Sequence, residues 1–153
     1  MTSSGFKFRL QRVHELRRRT EDEARRAYAD SLAHSDAGLS ALSGAIARRD
    51  DARVVVRDRG TESTASGADL VAGQAWLDRL EQMREAAELD ADRRAAEAGA
   101  RRVSLVRAAR DRQALDRLEE RARERHRLEA QRIEAALLDE LAVSGHRRRE
   151  ARG

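Results

Sequence analysis

The residues RDRGTESTASGAD, at positions 57–69, decide the fold expected of this chain of 153 residues. Gly60, Gly67 and the neighbouring serines and threonines disfavour helix, because hydroxyl side chains compete for backbone hydrogen bonds. Gly60 suits the position just after a helix. Ser66 followed by Asp69 has the spacing of a capping box, which starts a helix. This stretch is the only strong turn signal in the interior, so it predicts one break between two long helices.

The rest of the composition favours those helices. The chain has no proline, 39% charged residues and only 3% aromatic residues. Without proline nothing forces a long helix to end, and with few aromatic rings a large globular core is not expected. We predict helix one at about 6–57, a loop at about 58–67, helix two at about 68–143 and a basic tail at 144–153, all in a single coiled-coil domain. Thr2, Ser3 and Ser4 are candidate N-caps.

Apolar side chains recur at alternating steps of three and four residues, which is the pattern of a coiled-coil seam. In helix one the stripe is Phe6, Leu10, Val13, Thr20, Ala24, Ala27, Tyr28, Leu32, Leu39, Leu42 and Ile46. In helix two the runs are Leu77, Leu80, Ala87, Ala91, Ala95, Ala98 and Leu105, then Leu115, Leu118, Ala122, Ala130, Ile133, Leu137 and Leu141. Two helices joined by a short loop fold back on each other. The sequence therefore predicts an all-α fold, an elongated two-helix antiparallel coiled-coil hairpin with a longer second helix.

The longer second helix leaves an unpaired end. Pairing Ile46 with Leu80 places Phe6 beside Glu119, so residues 120–143 have no partner. Ile133 and Leu137 lie in this overhang, and an exposed apolar stripe indicates a binding surface. Alternatively, helix one refolds over the overhang, or two copies pair there. The first 30 residues and the last ten each carry a net charge of about +3.

Catalytic patterns are absent from the sequence. There is no cysteine, which excludes disulfides, thiolate zinc sites and cysteine nucleophiles. His14 and His126 lie near each other in the hairpin, where ordinary seam or surface histidines are favoured over a ligand pair. We expect no enzyme activity, no cofactor, no metal and no small-molecule substrate. The arginine runs at 17–19 and 147–149 allow a basic nucleic-acid-binding coiled coil as an alternative, but aromatic stacking platforms are missing, so nucleic acid is unlikely.

Trp76 is the single large aromatic residue of helix two and lies close to the loop. Trp76, Leu80 and Met83 share one helix face. Because Leu80 already belongs to the seam, Trp76 and Met83 flank it. Tryptophan is enriched among interface hot spots, and Trp76 is interpreted either as an anchor of the hairpin tip or as a contact with a partner.

The opening FKFRLQRVHELRRRTEDEARRAYADS, residues 6–31, resembles the start of the flagellar export protein FliJ family. The matching pattern is Phe-x-Phe-x-Leu, a valine, an arginine-rich turn and an acid–alanine stretch, here Phe6, Phe8, Leu10, Val13, Arg17 and Glu23–Ala24. GQAWLDRLEQM, residues 73–83, resembles the aromatic segment that follows the loop in that family. The overall length, the single break and the longer second helix agree with it.

The resemblance implies a non-enzymatic stalk or adaptor of the flagellar type III protein export apparatus. Its terminal half would insert into the flagellar export ATPase hexamer, and the region near the tip would contact the export-gate membrane protein FlhA. Export chaperones are further implied partners. The implied location is cytoplasmic, peripheral to the inner face of the cell membrane at the flagellar base; the absence of a long apolar segment agrees with it. A coiled-coil scaffold of another secretion or ATPase assembly is a second alternative.

Overall fold

The computed structural model describes the backbone of residues 6–150 and the side chains of residues 6–147. It contains two α-helices, α1 (Gln11–Gly60, 50 residues) and α2 (Gly67–Glu150, 84 residues), and no strand within the described residues. The two helices pack antiparallel, which confirms an all-α two-helix hairpin with a longer second helix. The candidate N-caps at positions 2–4 lie outside the described residues.

The helices are grouped into two compact units. Unit 1 combines the chain up to Glu21 with the chain from Ala108 onward, and unit 2 is Asp22–Arg107, which contains the turn. Both helices contribute to each unit. That the chain is a single domain remains a prediction.

The first helix begins at Gln11, about five residues later than expected. Its first turn is closed by bonds from the amide of Gln11 to the carbonyl of Phe8 and from the amide of His14 to the carbonyl of Leu10. In a helix, residues two apart lie on nearly opposite faces, whereas in an extended segment they share a face. The non-helical start therefore lets Phe6 and Phe8 both face packed side chains.

The turn between the helices follows the predicted chemistry at its second end. The amide of Ser66 donates to Asp69 Oδ2 at 2.9 Å, and the amide of Asp69 donates to Ser66 Oγ at 3.2 Å, which confirms the capping box. At the first end, Gly60 is the last residue of α1 and has no positive φ. Instead, the amide of Thr61 donates to the carbonyl of Asp58 and the amide of Glu62 donates to the carbonyl of Arg59, and these bonds between residues three apart close that end.

The second helix continues to Glu150, past the expected end at residue 143. Gly145 lies inside the helix. A glycine within a helix costs only about 1 kcal/mol relative to alanine, and no proline follows to force an end. The first part of the predicted basic tail is therefore helical.

The fully buried positions between the helices carry small and polar side chains, which include the predicted Ala91 and Ala98, while large apolar residues of the predicted stripes such as Ile46 and Leu80 are half-buried. Residues His14, Glu21, Ser31, Ser35, Gly38, Ala45 and Ala52 of α1 are buried, and so are Ala91, Ala98 and Ala108 of α2. Successive buried positions on each helix are separated by three, four, seven or ten residues, all sums of threes and fours, as in a coiled coil. Val13, Leu32 and Leu39, which were predicted to line the seam, are exposed.

A close approach of the two backbones explains this composition. In unit 2, a Cβ atom added to Gly38 would lie 3.4 Å from Ala91 Cα and 2.9 Å from Arg94 Cδ. Little room remains for a large side chain at such a contact. Leu32 and Leu39, on either side of this contact in the sequence, are exposed, whereas Leu42 and Ile46 are half-buried.

The pairing register in unit 1 is shifted from the predicted one. Phe6 lies against His126 and Arg123 instead of Glu119. Phe6 therefore lies beside residues 122–126 of α2, where Ala122 is half-buried, and the predicted overhang begins later along the helix. In unit 2, Arg49 bonds to Glu81 and Val56 lies beside Gly73.

Candidate partner-binding surfaces

The last described turns of α2 carry a row of exposed apolar side chains. These residues are Ile133, Leu137, Leu138, Leu141 and Val143, and we call them the α2 end surface. Ile133 is 55% exposed and Leu141 is 66% exposed. All residues from 123 to 143 are exposed, so nothing in the described part of the chain packs over this surface.

The segment that precedes α1 lies beside the start of this region. The Phe6 ring meets the His126 ring edge-on at a centroid distance of 5.7 Å, and the Arg123 guanidinium stands 5.7 Å from the Phe6 centroid. Such a cation over an aromatic face contributes about 0.5–1 kcal/mol at an exposed site. An open groove of about 820 Å³ adjoins Phe6. Its lining residues are Phe6, Lys7, Ala122, Arg125, His126, Leu128, Glu129 and Arg132.

The other predicted residues of this segment have different surroundings. The Phe8 ring lies 6.4 Å from the His14 ring, and Phe8 and Leu10 are half-buried. Val13 is 42% exposed. Arg17 is half-exposed and pairs with Asp111 at 3.2 Å. Phe6 thus packs on α2, Phe8 packs on His14 of α1, and Val13 is left exposed.

A second surface lies at the turn, within unit 2. Trp76 is 44% exposed and lines a groove of about 380 Å³ together with Val55, Val56, Leu70 and Gly73. Gly73 packs closely on Val56, because an added Cβ would lie 3.0 Å from Val56 Cγ1. Trp76 therefore contributes both to the packing of the turn and to its accessible surface.

Leu80 and Met83 differ in burial although they share a helix face with Trp76. Leu80 is half-buried between the helices, while Met83 is 50% exposed. Beside them Arg49 donates to Glu81 across the seam at 3.2 Å. A hydrogen bond from Arg84, with a smaller contribution from Arg49, lowers the pKa of Glu81. The structure thus brings Trp76 next to valines of α1 and leaves Met83 on the flank.

Sequence reasoning missed the roles of two pairs of residues, although it interpreted His14 as a seam or surface histidine. Val55 and Val56 accompany Trp76, and the signal for them was the apolar run at 54–56 directly before the loop. His14 and Glu21 are each 6% exposed in unit 1. Their burial had no signal in the apolar pattern, because it depends on charged partners on α2.

Several arginines in both units pair with neighbouring carboxylates. Arg94 pairs with Asp90 at 2.7 Å and Arg127 pairs with Glu124 at 2.6 Å. Hydrogen bonds from Arg93 and Arg127 lower the pKa values of Asp90 and Glu124, respectively. Within residues 6–147, no three histidine, aspartate or glutamate side chains are arranged to hold a metal ion. Among the described helical residues, no stretch has the length and apolar composition needed to span a bilayer.

A family model described as the flagellar FliJ protein matches residues 6–151 of the chain. The chain belongs to the FliJ family. The match begins at Phe6 and includes the Phe-x-Phe-x-Leu opening, the turn and nearly all of α2. FliJ proteins are non-enzymatic components of flagellar protein export, so the chain has a role in that process. No curated protein and no solved structure gives a significant match.

Proposed function

We propose that this FliJ-family protein is a stalk or adaptor that docks into the flagellar export ATPase hexamer. The α2 end surface, with Ile133 and Leu137 at its centre, provides the main contact. Phe6, Phe8, Leu10, Val13 and Arg17 contribute from the segment around the start of α1.

The observation that carries this proposal is the exposure of the α2 end surface. Large apolar side chains on a helix with no described partner mark a binding surface. Burying a fully exposed isoleucine or leucine contributes about 1.5–3 kcal/mol. Ile133 and Leu137 are about half exposed, so together they would add about 1.5–3 kcal/mol to docking. Family membership supplies the class of partner.

We further propose that Trp76, Leu80 and Met83 contact the export-gate membrane protein FlhA. The half-exposed Trp76 and the exposed Met83 present apolar area beside the turn groove, which supports a contact of this kind. Export chaperones are additional partners, and the protein acts in the cytoplasm at the inner face of the membrane at the flagellar base.

The test replaces Ile133 and Leu137 together by aspartate in the full-length chain. We expect loss of stimulation of the flagellar export ATPase from the same organism, because charged side chains cannot be buried in an apolar contact without a large desolvation cost. Helix content, measured by circular dichroism, stays unchanged because neither side chain is covered within the described residues.

The matched control replaces Leu89 and Val103 by aspartate. These two residues are also strongly exposed, at 72% and 68%, but lie in unit 2. The control is expected to stimulate the ATPase normally. Global unfolding of the double variant at 133 and 137 would mean that these side chains belong to the hydrophobic core. Equal stimulation of the ATPase by this variant and the control would refute docking through the α2 end surface. A chain that binds a different ATPase assembly would support the scaffold alternative.

A further inference from the structure

Unit 1 contains buried charged side chains at its helix–helix contact. His14 and Glu21 are buried between the helices, and Glu21 pairs with Arg112 of α2. In unit 2 the corresponding buried positions of α1 carry small residues such as Ser35 and Ala45. We call residues 6–21 the arm. Charge therefore contributes more to the attachment of the arm to residues 108–129 of α2 than it does to the helix packing within unit 2.

His14 lies at the centre of this attachment. Its Nε2 atom is 2.6 Å from Asp116 Oδ1, and its Nδ1 atom is 3.4 Å from Glu119 Oε2. A neutral imidazole carries only one N–H, so one ring nitrogen would direct a lone pair toward a carboxylate. A protonated ring has an N–H on both nitrogens. The observed geometry therefore suits the imidazolium.

The other charged groups around His14 come from both helices. From α2, Asp116 also pairs with Arg112, and Glu119 also pairs with Arg123. The groove over His14 is lined by Gln11, His14, Arg18, Asp116, Glu119, Glu120 and Arg123. Since the two acceptor carboxylates retain arginine partners on their own helix, loss of the His14 charge removes attraction between the arm and α2 without leaving those carboxylates unpaired.

We propose that the arm is a protonation-controlled clasp, closed on α2 while His14 carries a proton and released when it loses that proton. Histidine is the side chain whose charge ordinarily changes between about pH 5 and pH 8. Release frees Phe6 from its contacts with His126 and Arg123 and uncovers the half-buried Ala122, which lines the same groove as Phe6. The clasp is a property of unit 1 and does not depend on the proposed export partners.

The distance between the arm and α2 can be measured directly with spin labels. The chain has no cysteine, so a pair introduced at the exposed positions Arg12 and Arg121 is labelled selectively. A control pair at the exposed positions Arg48 and Gln82 reports on unit 2. Electron–electron distance distributions are recorded for the full-length chain at about pH 6 and about pH 8.5, where aspartate, glutamate and arginine ordinarily keep one charge.

We expect one short distance between arm and α2 at the lower pH and its loss at the higher pH, with the control pair unchanged. His14→Lys keeps a positive charge at both pH values, so its short distance is retained throughout. The glutamine of His14→Gln cannot acquire a charge, so the short distance makes up a smaller share of the distribution at both pH values. His126→Gln removes the other histidine that contacts the arm and is expected to behave as the original chain does.

The clasp is refuted if the arm distance of the original chain does not change with pH. It is also refuted if His14→Gln changes with pH as the original chain does, or if only His126→Gln abolishes the change. Circular dichroism of each variant shows that α2 is still helical, so a change of distance is assigned to the arm. None of these outcomes depends on ATPase stimulation, so the clasp and the proposed docking are tested separately.

Discussion

Gly38 provides a direct test of the close helix approach in unit 2. Replacement by leucine places a Cβ atom 3.4 Å from Ala91 Cα and 2.9 Å from Arg94 Cδ, with three further carbons beyond it. Arg94 can move, but the Ala91 backbone cannot. Overpacking of this kind costs about 1–3 kcal/mol. Replacement of a helical glycine also stabilises the helix by about 0.5–1 kcal/mol, which partly hides that cost.

A second glycine in unit 2 separates the two effects. Gly99 is also helical, and a Cβ added there would meet nothing within 4 Å. Gly99→Leu therefore gains the helix propensity without the clash, and the difference between the two variants isolates the close approach. We expect Gly38→Leu to be less stable than Gly99→Leu by about 1–3 kcal/mol.

Thermal unfolding followed by circular dichroism measures this difference. For a chain of about this size, 1 kcal/mol corresponds to about 2–4 °C, so the melting temperatures should differ by roughly 2–12 °C. Equal melting temperatures would show that the helices do not meet at Gly38. The pairing register described for unit 2, and the seam of small residues that follows from it, would then be wrong.

Three further results are expected. Ser66→Ala removes the N-cap of α2 and lowers stability by about 1 kcal/mol in denaturant unfolding. Because the Ser66 hydrogen bonds lower the pKa of Asp69, the cap contributes stability above the ordinary pKa of aspartate and loses it as the pH falls through the lowered value. The difference in unfolding free energy between the variant and the original chain should therefore disappear in acid. Trp76→Ala should weaken FlhA binding about 30-fold, as for a hot spot worth about 2 kcal/mol, with a stability loss below about 1 kcal/mol; unchanged FlhA affinity with a large stability loss would make Trp76 an anchor only. Binding to DNA at physiological salt should have a dissociation constant no tighter than about 10⁻⁶ M in a titration, and a sequence-selective nanomolar complex would favour the nucleic-acid alternative.

The parts of the fold that depend on local chemistry were predictable. The turn at 57–69 was identified from its glycines and hydroxyl residues, and the Ser66–Asp69 spacing correctly predicted the cap. The positions of Trp76 and Met83 beside the seam were also predictable from helix geometry. Each of these conclusions uses residues within one or two helical turns, where backbone preferences dominate.

The pairing of the two helices was not predictable in the same way. The apolar pattern favoured Val13, Leu32 and Leu39 as seam residues, yet all three are exposed. In unit 2, near Gly38, the two backbones approach too closely for a large side chain. His14 and Glu21 are buried because Asp116 and Arg112 lie opposite, about a hundred residues away in the chain. Similarly, the non-helical segment at Phe6 lies against Arg123 and His126 of α2. Such contacts become apparent only when both helices are placed together.

The placement of Trp76 has a practical consequence for spectroscopy. It is the only tryptophan of the chain, and the chain has one tyrosine, so fluorescence excited at the red edge of the absorption band comes from the turn groove alone. A molecule that covers this groove shifts the emission to shorter wavelength and shields the indole from soluble quenchers, whereas one that binds only at the α2 end surface leaves both unchanged. An unlabelled sample thus carries its own optical reporter for one of its two candidate surfaces.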